Sequence, residues 1–214
     1  MLDVTLLIDG GHLRSVASSA GFTYNPDLIE AFARGCHDPS EEALRRILYY
    51  DCPQYRGNQR LPVSGGMKNF MASDKWLEDL ASRELFAVRR GTIAFRGWSP
   101  RSIPIAGRSL TDADFKPNFE QKGVDMRIGL DIAGITADRR MQRISLVSAD
   151  ADLIPAMKHA RRAGVQVVGI QLPHPANAFR PQFLAHMDYR RAVAWPPTIV
   201  AATSSTPIDT TRES

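Results

Sequence analysis

The sequence predicts an α/β fold in which a central, mostly parallel sheet is flanked by helices. Three short runs carry that prediction: Val4-Thr5-Leu6-Leu7-Ile8, Arg45-Arg46-Ile47-Leu48-Tyr49-Tyr50 and Ile144-Ser145-Leu146-Val147. Their apolar stretches are near-continuous rather than alternating, which is how strands buried on both faces read. Each run is closed by an acid, Asp9, Asp51 or Asp150. The chain between them is long enough for the crossovers that parallel strands require. Acids at the carboxyl ends of parallel strands stand where open α/β sheets bind their ligands.

Taken in order, Val4–Ile8 is the first strand, and Asp9-Gly10-Gly11 is a tight turn. Asn25-Pro26 starts a helix that runs to about Arg34, with Pro at its first position and Gly35 at its end. Ser40-Glu41-Glu42 reads as another helix start, and Arg45–Asp51 as the next strand, broken by Cys52-Pro53. Residues 54–66 are loop-like, and a helix follows over 67–83. Residues 86–98 make one bent strand or two short ones, and 99–121 form an irregular connection rich in Pro.

Val124–Ala137 carries two periods at once. Val124, Met126, Ile128, Leu130 and Ile132 alternate as in a strand, while Val124, Ile128, Ile132 and Ile135 keep helical spacing. A helix is the better reading because the strand at Arg143–Val147 needs a crossover before it. In a helix Asp125 and Asp131 lie about 240° apart, so only one of them can line a site. Residues 151–163 form a helix ended by Gly164, and 165–170 are a last parallel strand. Beyond the turn-rich 173–181, residues 182–186 make a short helix and 189–194 an edge strand. One domain is expected over 1–195, with a disordered Thr/Ser/Pro-rich tail at 196–214.

With 214 residues, 43% hydrophobic and 23% charged, the chain can bury one good core. It contains no apolar run of the roughly 20 residues a membrane span needs, and no basic leader precedes Asp3. A cytoplasmic protein with no membrane partner is expected. Cys36 and Cys52 lack zinc-type spacing and read as free thiols. The net charge of +4 is unevenly placed, since 12 Lys/Arg against 7 Asp/Glu between Gln54 and Lys122 give that stretch +5 and leave −1 elsewhere. There Arg56, Arg60, Lys68, Arg96, Arg101 and Arg108 interleave with Tyr55, Phe70, Phe95 and Trp98. Such a composition suits phosphates and stacked bases, and equally a solvated surface over ordinary core aromatics.

If Asp9, Asp51 and Asp150 end neighbouring strands and Asp125 starts a helix beside them, their carboxylates converge. That costs Coulomb repulsion unless protons or a cation compensate. A divalent ion held by carboxylates and waters resolves the conflict, and it can activate water against a phosphodiester. Blander roles stand beside each acid. Asp9 could simply make the turn, Asp51 end a strand, Asp125 complement a helix dipole, and Asp150 or Asp152 cap the next helix. One Asp suffices as a cap, so the Asp150/Asp152 pair points further toward ligation. His12 is the one histidine beside the acids, Lys122 could bind phosphate, and Ser148 could bond a carboxylate or water. No glycine-rich nucleotide fingerprint is present.

Leu7-Ile8-Asp9-Gly10-Gly11-His12-Leu13, Lys122-Gly123-Val124-Asp125 with Asp131, and Val147-Ser148-Ala149-Asp150-Ala151-Asp152-Leu153-Ile154-Pro155 resemble, in this order, the three motifs of the NYN domain family. This is the LabA-like branch of the PIN-like ribonucleases. The resemblance implies a PIN-like three-layer fold and a Mg²⁺- or Mn²⁺-dependent RNA endonuclease, with Asp9, Asp125, Asp150 and Asp152 as catalytic, metal-binding acids. His12 stands where the family usually has Asn, which bears on metal affinity and pH dependence.

The leading expectation is a metal-dependent endoribonuclease acting on single-stranded or looped RNA, with Asp51 as a further auxiliary acid and the basic middle gripping the backbone. A non-catalytic RNA-binding or regulatory module of the same fold is the rival, and a phosphatase of small substrates is a third reading. Self-association into a homo-oligomer is left open by the sequence.

Overall fold

The computed structural model describes residues 1–102, 109–138, 140–174 and 178–197. In chain order its elements are β1 (Leu2–Asp9), α1 (Gly10–Ser19), α2 (Pro26–Arg34), β2 (Glu42–Asp51), β3 (Gly57–Arg60), β4 (Met67–Phe70), α3 (Lys75–Ser82), β5 (Phe86–Arg90) and β6 (Thr92–Pro100). They continue with β7 (Phe115–Lys122), α4 (Val124–Ala137), β8 (Arg143–Val147), α5 (Ile154–Arg162), β9 (Gln166–Gln171), α6 (Pro181–Leu184) and β10 (Tyr189–Ala192). Six strands form one sheet in the order β10-β9-β8-β1-β2-β5, and every pairing in it is parallel.

Strand alternation divides the core between the two faces of that sheet. Leu6, Ile8, Ile47 and Tyr49 pack with Leu13, Ile29, Phe32 and Leu77 from α1, α2 and α3 on one side. Leu7, Leu48, Tyr50 and Leu146 pack with Ile128, Ile132, Met157 and Phe183 from α4, α5 and α6 on the other. The result is the three-layer α/β architecture of a PIN-like fold. Among the described residues no helix is long and apolar enough to cross a membrane. Both cysteines are free and buried.

Several elements depart from the sequence expectations. Residues 10–19 are helical although two glycines open the segment; Asp9 caps the helix by accepting from the His12 N–H. Glu42 starts a strand and not a helix, because its carboxylate is drawn into a buried ion cluster at the start of β2. The expected helix over 67–83 shrinks to Lys75–Ser82, and Met67–Phe70 instead pairs with Gly57–Arg60 inside what reads as loop. The irregular 99–121 contains β7, whose partner is β6. Pro117 is tolerated in this two-stranded ribbon, where only one neighbour demands hydrogen bonds. The end of the expected tail, 198–214, lies outside the described residues, whereas Trp195 just before it packs on Phe22 and Phe32.

The two antiparallel ribbons, β3-β4 and β6-β7, leave the carboxyl ends of the neighbouring strands β2 and β5 and meet each other as an arm. Their joint is a cluster of rings. Tyr55 lies 5.6 Å from Phe70 and 5.3 Å from Phe119, and Phe95 lies 5.6 Å from Trp98, centroid to centroid. These spacings are those of packed aromatic pairs. The half-buried rings therefore act as a small core for the arm, in line with the second of the two readings the sequence left open.

Candidate active site

The β1–α1 turn is the centre of the site. A Cβ on Gly10 would collide with the Tyr49 hydroxyl and approach the Tyr50 carbonyl to 2.8 Å, so glycine lets the turn press against β2. This closeness holds Asp9 at the end of β1, next to β8. Its Oδ1 accepts from the His12 N–H at 3.1 Å, and its Oδ2 accepts from the Ser148 hydroxyl at 3.4 Å. Ser148, fully buried past the end of β8, also accepts from the Asp150 N–H at 3.2 Å. Asp150 in turn accepts from the Asp152 N–H at 2.9 Å, so it caps the short 3-10 turn Ala151–Leu153 and still faces the site.

A cavity of about 380 Å³ opens above these groups, lined by Asp9, Gly11, His12, Gln121, Val124, Asp125, Ser148, Ala149 and Asp150. Asp125 reaches it from the first turn of α4. Three carboxylates from three separate segments thus share one cleft. Among the described residues no Lys or Arg pairs with any of them. The electrostatic consequence falls on Asp125: burial, then the charges of Asp150 and Asp9, raise its pKa above the ordinary carboxylate value. His12 moves the other way. Burial lowers its pKa despite the pull of Asp9 and Asp150, favouring a neutral ring, and its Nε2 is buried without a hydrogen-bond partner. A neutral His12 adds no positive charge beside the acids.

The remaining sequence candidates fall elsewhere. Asp152 is exposed and does not line the cavity, although its charge still contributes to the shift of Asp125. Lys122 is also exposed and outside the lining. Asp131 turns away, accepting from Tyr50 Oη at 2.8 Å and Arg89 Nε at 3.0 Å. Asp51 is fully buried and saturated, bonded by Arg14, by the Tyr49 hydroxyl at 2.9 Å, by the Cys52 N–H at 2.7 Å and by Gln121 Nε2 at 3.3 Å. It supports the site from below without facing it.

Of the six cations named for RNA, Arg56 pairs with Asp74 and Arg96 with Glu120, while Arg101 donates to the Ala113 carbonyl. Arg60 and Lys68 are exposed without ion pairs among the described residues, Lys68 lying over Phe70 and Trp98. Arg108 lies outside the described residues. Gln121, in the cavity wall, was not singled out by the sequence, and Gly11 beside it was read as part of the turn and the first motif. Gln121 carries no local signature, and its place follows only from β7 returning to the site.

Hard carboxylate oxygens suit a Mg²⁺- or Mn²⁺-type ion held by few protein ligands and several waters. The unpaired negative charge registered by Asp125 is the feature such an ion would relieve. Among the described residues, however, no three His, Cys, Asp or Glu side chains are gathered into a ready-made metal cage. Compared with known proteins, the chain matches the family model described as the NYN domain over residues 4–186. No curated protein and no solved structure matches it.

Proposed function

The chain belongs to the NYN domain family, a family of PIN-like nucleases, and from that premise we propose that it is a metal-dependent endoribonuclease whose acids are Asp9, Asp125 and Asp150. One observation carries this reading: three carboxylates from distant segments line a single cleft and, among the described residues, no Lys or Arg pairs with them. Asp9 and Asp150 are held in place by the N–H groups of His12 and Asp152, which leaves their other lone pairs for a ligand. Ser148 ties those two acids together. Burial and the charges of Asp150 and Asp9 strengthen the hold of Asp125 on a proton. Asp152, near enough to influence Asp125, serves at the rim. A bound Mg²⁺ or Mn²⁺ would supply Lewis acidity toward a phosphodiester and a more acidic water. The substrate is RNA in single-stranded or looped form, held in part by Arg60 and Lys68 on the arm.

The test combines cleavage and ligand binding. With Mn²⁺ the full chain should cut a labelled single-stranded RNA internally, and Asp150→Asn should abolish cutting. Mn²⁺ should also raise the melting temperature of the wild type, since a ligand that binds only the native state stabilises it, and raise that of Asp150→Asn much less. Wild-type protein that retains RNA uncut would favour the binding module instead. Release of phosphate from nucleotide monoesters with oligonucleotides spared would favour the small-substrate phosphatase.

A further inference from the structure

Among the described residues Gln121 is the arm's one contribution to the cavity wall. It stands two residues after Phe119 on β7, so strand alternation puts it on the face that carries the arm's ring cluster and leads that face into the cleft. Its amide orientation follows from chemistry. Asp51, already surrounded by donors, can only accept, so the end of Gln121 that meets it at 3.3 Å must be the Nε2 group. Oε1 is therefore the free end. It lies over the bare backbone of Gly11, 3.0 Å from where a Cβ would stand. The other polar groups of the wall are three carboxylates, a buried imidazole and the hydroxyl of Ser148, already bonded on both sides. A neutral, pre-oriented acceptor beside acids that handle a phosphodiester suits a neutral hydroxyl donor of the same nucleotide.

We propose that Gln121 Oε1 accepts a hydrogen bond from the ribose 2′-hydroxyl next to the scissile phosphate, making the cleft selective for RNA over DNA. The inference rests on the nuclease reading above and adds the residue that reads the sugar. Asp51 then acts as a positioning residue, holding the amide so that its oxygen faces the substrate.

The experiment is a cycle between enzyme and substrate. After the cut is mapped on an RNA oligonucleotide, a second oligonucleotide carries a single 2′-deoxy nucleotide there. For the wild type the deoxy change should lower kcat/KM about tenfold or more, as a lost partner to a built hydrogen bond does. Gln121→Leu should lose a similar factor on the all-ribose strand, and the deoxy change should then cost it little more. A full deoxy penalty that persists in Gln121→Leu would overturn the proposal. So would a wild type that cuts both strands equally, a result requiring no variant and leaving the nuclease reading intact. A wild type that cuts neither would bring down the nuclease reading itself, and this proposal with it.

Discussion

The two ends of the central sheet both gather carboxylates, and they treat them in opposite ways. At the amino end Glu42 is fully buried, but Arg143 and Arg191 converge on it and the Asp38 N–H donates at 2.8 Å. Burial alone would raise its pKa; the bonds from Arg191, the Asp38 backbone and Arg143 outweigh burial and hold it at about 2. At the carboxyl end Asp9, Asp125 and Asp150 have no such counter-ions among the described residues, and the Asp125 pKa is raised. Asp51, a short distance below, belongs with the amino end in kind, since Arg14 balances it. A buried acid with its cation built into the chain is part of the scaffold, whereas acids that share a cleft without one are arranged for something that arrives.

The sharpest way to break this contrast is to neutralise one acid at each end. Asp125→Asn or Asp150→Asn should reduce RNA cleavage a thousandfold or more, equal to about 4 kcal/mol of barrier. Metal-free stability should hold or rise, because repulsion is relieved. Urea denaturation beside the cleavage assay checks both halves, and clear destabilisation would move these acids into the scaffold class. Glu42→Gln should do the reverse, costing about 3 kcal/mol of stability by leaving one buried and one half-buried guanidinium group short of charge. Cleavage per folded molecule should be kept; a loss below about 1 kcal/mol would show that the cluster is not a clamp.

The pH dependence of metal-free stability sharpens the same contrast by its sign. Glu42 has a folded pKa below its unfolded one, so its contribution is present above about pH 4.5 and lost as pH falls toward about 2. Asp125, raised above 3.8, works the other way: the folded protein binds the proton first, and stability gains as pH falls through its folded pKa. Thermal melts across acid pH should therefore lose the upper, stabilising limb in Asp125→Asn and the lower, destabilising limb in Glu42→Gln. The smallest effect belongs to the arm. Replacing Arg60 and Lys68 together by Ala should raise KM for RNA severalfold with kcat little changed, and reduce the salt dependence of binding by about one to two phosphate contacts.

The parts of this contrast that could be read in the sequence are those with local signatures. The apolar runs of β1, β2 and β8 announce buried parallel strands, and the acids that follow them announce the ligand end. Helical spacing in α4 separates Asp125, which lines the cavity, from Asp131, which bonds Tyr50 and Arg89. What stayed hidden depends on partners far along the chain. Glu42 finds Arg143 at a separation of 101 residues and Arg191 at 149, and no local pattern encodes such a meeting. The same holds for the arm, whose short strands are fixed by ring contacts between Tyr55 and Phe119, and for Gln121, which gains a role only from where β7 ends. The helix α1 was masked by its opening glycines, of which Gly10 is required by the close approach to Tyr49.

Between the last residue of β7 and the first of α4 stands Gly123 alone, with a left-handed backbone at φ 75°. The ribbon before it extends eight residues, a reach of about 26 Å, and Asp125 follows two residues after it. Gly123 thus joins a long lever on one side to the helix turn that carries Asp125 on the other. Should the ribbon hold nucleic acid as proposed above, a load at its far end would reach the proposed metal-binding acid through one peptide.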